Sequence, residues 1–393
     1  MSASPVVIVT GANAGIGYGI CRRLLFQLCV SNPPDSWPQP WATRAKELSL
    51  EPPTGNGLTL IMACRSIQRA TAARDELYHE LDGHIKQLRA HPEYDGYADE
   101  FRHNLTIQVE YVDLAVLSTV FDFSSRVSKQ YSHISHIICN AGVADFSHID
   151  WLLCIKQLAM GFLSAITRPQ FYVQNVGQVS VDGLGYVWQT NLFGHYVLVR
   201  SLEPLLQNSV YPADSRIIWT SSIETSKFYD DDDWQLTKTA HSYQSVKYQI
   251  ELIATVLNHR ALQISSAKRI RHFVSNPGSC STKISDKLVE QGSFLKNLAV
   301  IMFYIGRLFA RHLTITPAKA AISAVHLSLV AISFITFSTS DPVRFDSETD
   351  RWGNAEVGTT PVPKWKENEA HGELLVKKCD KLYQESLEDR KTA

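Results

Sequence analysis

Two rhythms of apolar and polar residues alternate along the chain. Val6–Thr10, Leu58–Ala63, Leu105–Val112, His136–Cys139, Arg216–Thr220 and Arg271–Ser275 are short, largely apolar runs. Such runs suit strands buried on both faces. Between them, apolar residues recur three and four apart, as in Tyr18–Leu28 (Ile20, Leu24, Leu25, Leu28), Ile67–Leu81, Gly183–Ser201 and Tyr243–His259. That spacing predicts helices with one apolar face. Strand and helix in alternation predict right-handed βαβ units, and so an α/β fold around a doubly wound, mainly parallel sheet.

Two insertions break the rhythm. Residues 30–57 hold six of the 16 prolines (Pro33, Pro34, Pro38, Pro40, Pro52, Pro53), a density that predicts a surface loop. Residues 143–178 include an uncharged stretch, 157–167, too short to span a bilayer.

The C-terminal third differs. Residues 297–306 are apolar all round and flanked by Lys296, Arg307 and Arg311. Such a segment suits a lid, a core or dimer-interface helix, or a membrane-interface helix whose cations meet lipid headgroups. Residues 320–340 carry no formal charge, long enough to raise a membrane-spanning reading. Serines, threonines and His326 dilute them, so the pattern predicts a helix followed by the last sheet strand at Ile332–Phe337. From Lys364 onward, charged residues surround Leu375, Cys379, Leu382 and Leu387, as on an amphipathic helix.

Composition narrows the function. With 38 basic and 39 acidic side chains the net charge is -1, and no global field favours nucleic acid. The seven cysteines form no CxxC pair and suggest free thiols in a reducing compartment, with no metal site. Met1–Gly11 has no basic or long apolar stretch of a secretory signal.

The chemistry begins where the first strand meets Gly11, Gly15 and Gly17. A pyrophosphate needs backbone N–H groups free of Cβ obstruction and aimed from a helix start. A glycine cluster alone also makes ordinary tight turns, but its place directly after an N-terminal strand favours phosphate. The second strand ends at Cys64-Arg65, with Arg69 one turn on. A guanidinium suits a ribose 2′-phosphate where a carboxylate would suit a 2′-hydroxyl, so the expected cofactor is NADP(H).

Tyr243 and Lys247, four apart, share one helix face, where an ammonium is expected to lower the pKa of the phenol. Ser221-Ser222 ends an apolar strand and faces a ligand crevice or caps a helix. Asn140-Ala141-Gly142 ends another, where small residues let a cofactor approach. Asn191, a poor helix former within a helical pattern, either faces solvent or has a task.

In their order, TGANAGIG (10–17), Asp113, Asn140-Ala141-Gly142, Asn191, Ser221-Ser222, Tyr243-x-x-x-Lys247 and Asn276-Pro277-Gly278 resemble the short-chain dehydrogenase/reductase family over roughly residues 5–285. The resemblance implies a Rossmann fold in one large domain, 1–292, with the insertions 30–57 and 143–178. A lid or membrane-contact segment with the last helix and strand (293–340) and a tail with an amphipathic helix (341–393) would follow. It implies Tyr243 as proton donor to a carbonyl, Ser222 rather than Ser221 as its hydrogen-bonding partner, Lys247 on the nicotinamide ribose, and Asn191 holding a relay water. Gly11, Asn13, Gly15, Ile16, Gly17, Arg65, Asn140, Ala141, Gly142, Pro277 and Gly278 would line the cofactor, with Asp113 by the adenine and Thr282 by the nicotinamide amide. One departure stands out: Ser222 and Tyr243 are 21 residues apart, where the family usually has about a dozen between them, and the segment Asp230–Trp234 fills the excess and must loop out.

Residues 191–196, 202–206, 218–222 and the apolar stretch 294–313 ending in Leu313–Pro317 resemble the 3-keto sterol reductase branch, near the 17β-hydroxysteroid dehydrogenases. That resemblance implies NADPH-dependent reduction of a sterol 3-ketone to the 3β-alcohol during C-4 demethylation. The expected setting is the cytosolic face of the endoplasmic reticulum or a lipid droplet, with membrane contact through 294–313 and a complex with other sterol-pathway enzymes. Two alternatives are a reductase of another lipophilic carbonyl (a 17-keto steroid, a retinoid, a secondary metabolite) and a non-catalytic scaffold of a membrane complex.

Overall fold

A computed structural model describes residues 4–37, 57–209, 214–225, 229–264, 269–280, 294–335 and 340–392. Eight strands form the central sheet: β1 (Val6–Thr10), β2 (Leu58–Cys64), β3 (Leu105–Tyr111), β4 (His136–Cys139), β7 (Ser215–Thr220), β8 (Ile270–Asn276), β9 (Val343–Thr349) and β10 (Ala355–Pro361). Their order is β10-β9-β8-β7-β4-β1-β2-β3. All pairs are parallel except β9 with β10. The insertion supplies a separate antiparallel hairpin, β5 (Phe146–Ile149) with β6 (Tyr172–Gln174).

The apolar runs are strands because both faces are covered. Val6 and Ile8 point into one core, against helices Leu117–Gln130, Gly194–Ser201 and Ser242–Gln263. Val7 and Val9 point into the other, against helices Gly15–Leu28, Ile67–Arg89 and Ile322–Leu329. The tail helix Trp365–Thr392 packs Leu375, Val376 and Cys379 into the first core, and a Cβ on its Gly372 would stand 3.0 Å from Val256 Cγ2.

Two expectations about the C-terminal third change: where the last parallel strand lies, and what the tail contains. Ile332–Phe334 is a single 3₁₀ turn, and the last parallel strand is β9, further on. The uncharged run before it holds the expected helix, Ile322–Leu329, buried in the core. Among the described residues, no helix is long and apolar enough to cross a membrane. The tail adds two sheet strands to its amphipathic helix, and β9 escapes an apolar pattern because its charges are paired internally. Arg344 donates to Glu251 (2.9 Å) and Asp346 accepts from Asn276 (2.6 Å). The Pro-rich insertion is docked at its start, where Asp35 is buried, bonded to Arg23 and, through its carbonyl, to His326 Nδ1. Residues 38–56 of it lie outside the described residues.

Candidate active site

The ends of β1 and β4 and the start of helix Gly15–Leu28 form a tight glycine turn. Gly11 and Gly15 adopt φ +66° and +54°. A Cβ on Gly17 would stand 2.3 Å from the Gly11 carbonyl oxygen and 2.6 Å from Asn140 Nδ2, so glycine is obligatory there. Asn140 Nδ2 donates to the Thr10 carbonyl (3.0 Å), holding the two strand ends together. The helix start that follows leaves a cradle suited to a dinucleotide phosphate. Asn13 and Ile16 are half-buried in it.

Asn191 lies on a π-helical turn, Gln189–Phe193, inside an otherwise α-helical run. Such widened turns gather at functional sites. Asn191 is buried, and its Nδ2 donates to the Val143 and Val187 carbonyls, each at 2.8 Å. Its Oδ1 is a buried acceptor with no partner among the described residues. A Cβ on Gly142 would meet that oxygen at 2.3 Å and Lys247 Nζ at 3.8 Å, so amide oxygen and ammonium flank one small gap.

His195, one turn on, is a partner that the sequence pattern named without giving it a task. Its Nδ1 must donate to the Asn191 carbonyl (2.9 Å), because a carbonyl only accepts. Burial pulls its pKa down to about 4, so the ring is neutral and Nε2 accepts from the Thr10 hydroxyl (2.8 Å). Thr10 Oγ1 in turn accepts from the N–H groups of Asn140 (2.9 Å) and Ala141 (3.0 Å). One histidine thus ties the glycine turn to the Asn191 turn.

The structure brings Ser222, Tyr243 and Lys247 together and separates the two serines. Ser222 neighbours Tyr243, and its hydroxyl favours the ionised phenol. Ser221 points into the core, where it donates to Glu251 Oε1 (2.6 Å). Lys247 is buried, donates to the Thr220 carbonyl (2.8 Å) and stands 5.6 Å from the centre of the Tyr243 ring. The long segment before Tyr243 is held as a turn: the buried Asp233 carboxylate accepts from the N–H groups of Thr237 (2.8 Å), Lys238 (3.0 Å) and Thr239 (2.8 Å).

The proton affinities correct one expectation. The net shift of Tyr243 is upward, not downward: burial raises the phenol well above the ordinary tyrosine range, the Glu224 carboxylate adds to this, and the neighbouring Ser222 hydroxyl opposes it. Lys247 is itself pushed down to about 8 by burial, against the attraction of Glu251. Glu224 is pushed up to about 7, also by burial. A phenol in this setting holds its proton at neutral pH, as a proton donor must.

The remaining residues line the same edge of the sheet. Arg65 and Arg69 are exposed just past β2, with Arg69 N–H capped by Ser66. Asp113 follows β3, its carboxylate accepting from Ala115 N–H (3.0 Å). Pro277 and Gly278 follow β8, with Gly278 at φ +70°. Thr282 lies outside the described residues.

The 143–178 insertion walls the site. Phe146 sets its ring 6.4 Å from that of Tyr243 and 4.9 Å from Tyr172. Its helix Phe162–Thr167 packs on helix Phe294–Arg307, where a Cβ on Gly306 would collide with Ile166. Trp151, Leu152, Ile155 and Met160 on one side, and Ile301, Ile305, Leu308 and Phe309 on the other, are exposed.

No family model matches the chain. The chain is similar to the 3-keto-steroid reductase of Schizosaccharomyces pombe, 28% identical over 392 residues that cover 98% of each protein. The 3-keto-steroid reductase of Saccharomyces cerevisiae is 24% identical over 393 residues, 98% of this chain and 96% of that one. The human 3-keto-steroid reductase/17-beta-hydroxysteroid dehydrogenase 7 is 27% identical over 328 residues, 82% and 79% of the two. Among solved structures, the Pseudomonas aeruginosa RhlG/NADP active-site complex matches with a TM-score of 0.50 at 14% identity, over 85% of this chain and 92% of that one, a likeness of fold. In its motif order, its sheet and these near-full-length relatives, the chain resembles the short-chain dehydrogenase/reductases and, among them, the 3-keto-steroid reductases.

Proposed function

We propose that the protein uses NADPH to reduce a sterol 3-ketone to the 3β-alcohol, as a step in C-4 demethylation. The observation that carries this reading is Tyr243 set between the Ser222 hydroxyl and the Lys247 ammonium, at the strand edge that carries the glycine turn. The residues present fit the cofactor: the turn offers unobstructed N–H groups, Arg65 and Arg69 suit a 2′-phosphate, and Asn191 Oδ1 and Lys247 leave polar atoms facing one gap. NADPH, when bound, supplies the hydride that reduces the carbonyl carbon.

The chain's own residues do the rest. Ser222 donates to the substrate oxygen and orients it. Tyr243 gives that oxygen its proton as negative charge develops, a role worth roughly 10²–10⁴ in rate. Lys247 binds the ribose and, with Asn191, returns a proton to the phenolate. Glu224 opposes loss of the Tyr243 proton before the ketone arrives.

The names of the relatives support the sterol, and the exposed apolar side chains of 301–309 and 151–160 beside the site support delivery from a membrane surface. The setting proposed is the cytosolic face of the endoplasmic reticulum or a lipid droplet, in company with other sterol-pathway enzymes. The double name of the human relative supports a second reading, a steroid 17-ketone as substrate.

Purified protein offered NADPH with 3-keto sterols, 17-keto steroids and retinal tests both readings. Oxidation of NADPH with formation of a 3β-hydroxysterol is expected, and Tyr243→Phe is expected to abolish it while NADPH still binds. NADPH consumed by none of these ketones overturns the reading. Leu308→Asp with Phe309→Asp is expected to lower co-sedimentation with phospholipid vesicles; unchanged co-sedimentation removes the membrane part.

A further inference from the structure

Helix Ser242–Gln263 carries both Tyr243 and Lys247, yet its start has no cap of its own. The residue before it, His241, has φ -124° and ψ 41°, and its side chain caps nothing. The orphan N–H groups of a helix start must find other partners. Here one comes from β6, in the insertion. Gln174 is 4% exposed, and its Oε1 accepts from the Tyr243 N–H (2.8 Å) and the Ser242 hydroxyl (3.0 Å). Its Nε2 donates to Gln244 Oε1 (2.7 Å).

The circuit continues to the other side of the site. Gln244 neighbours the Glu224 carboxylate and favours its charged form, and the Glu224 N–H donates to Ser222 Oγ (3.1 Å). Ser222 in turn lies beside the Tyr243 phenol and opposes its upward shift. The residue paired with Gln174 in the hairpin is Phe146, whose ring lies against that of Tyr243. The long stretch between Ser222 and Tyr243 gives this pair no short local link, and the amide circuit spans the gap instead.

We propose that Gln174 is a positioning residue: through the Tyr243 backbone and Gln244 it fixes the phenol against Ser222, which makes the 143–178 insertion part of the catalytic apparatus. The proposal rests on Tyr243 acting as proton donor. Buried hydrogen bonds of this kind are costly to leave unmade, so truncation displaces the helix start.

The test compares Gln174→Ala and Gln174→Glu with the wild type. The glutamate keeps the acceptor for Tyr243 and Ser242. Gln174→Ala is expected to lower kcat at least tenfold with the Kd for NADPH within twofold, and Gln174→Glu to regain most of the loss. Hydrogen exchange, which needs no substrate, is expected to rise in the 241–248 peptide of Gln174→Ala and to stay unchanged in peptides from β1 and β4. Wild-type kcat in Gln174→Ala, or exchange that stays flat at 241–248 or rises across the whole protein, overturns the proposal. A wild type that reduces no ketone discards the functional reading alone, and the exchange result still decides the role of Gln174.

Discussion

Lys247 Nζ stands 5.6 Å from the centre of the Tyr243 ring while donating to the Thr220 carbonyl, so a buried cation is held beside the phenol by the main chain of β7. Its ammonium is pushed from 10.5 to about 8 by burial. The unfolded chain therefore binds this proton more tightly than the folded one. The penalty to folding is complete below about pH 8 and fades as pH rises toward 10.5. Lys247→Met removes the penalty and forfeits one hydrogen bond, worth about 1 kcal/mol. Thermal unfolding without nucleotide is expected to show a higher Tm at pH 7 for the variant, a gap that narrows above pH 8, and no catalysis. A lower Tm at pH 7 contradicts this.

Glu224 raises the proton affinity of Tyr243 only while it is charged, which is above about pH 7. Reduction needs the phenol protonated. Glu224→Gln removes the charge, so the alkaline limb of the kcat profile for ketone reduction is expected to move to lower pH. The two profiles should converge at acid pH, where the carboxyl is already neutral. Superimposable alkaline limbs exclude the coupling.

Ser221 and Ser222 are expected to fail in different ways. Ser222→Ala lowers kcat with little change in Tm, since its hydroxyl meets Tyr243 in the crevice. Ser221→Ala leaves Glu251 one partner short in the core and costs about 1–3 kcal/mol, with activity per folded molecule retained. Urea unfolding and steady-state kinetics on both variants decide it; equal kinetic losses would erase the distinction.

Gly17→Ala puts a methyl where 2.3 Å separates it from the Gly11 oxygen. The turn must open, and the affinity for NADPH, followed by fluorescence titration, is expected to fall more than tenfold. Unaltered affinity would show that the cradle does not hold the phosphates.

The parallel sheet and the glycine turn were legible because their signals are local: apolar runs such as Val6–Thr10, and glycines at fixed offsets. β9 was not, since Arg344, Asp346 and Glu348 read as surface and become strand residues only once Glu251 pairs with Arg344, Asn276 donates to Asp346 and Arg311 pairs with Glu348 from elsewhere in the chain. The Tyr243–Lys247 spacing correctly put both side chains on one helix face. The direction of the Tyr243 shift was hidden, because it depends on burial and on Glu224 more than on Lys247. Gln174 and His195 were equally hidden, as their partners Tyr243 and Thr10 lie 69 and 185 residues away.

Helix Trp365–Thr392 covers apolar residues of the helix that bears Tyr243, so that surface stays bare during synthesis until every other described element has been made. A nascent chain arrested after β9 would present a greasy, half-built enzyme to chaperones and proteases. Nonsense changes as late as codon 370 should therefore behave as complete losses of the protein, even though each residue assigned to the chemistry has already been translated.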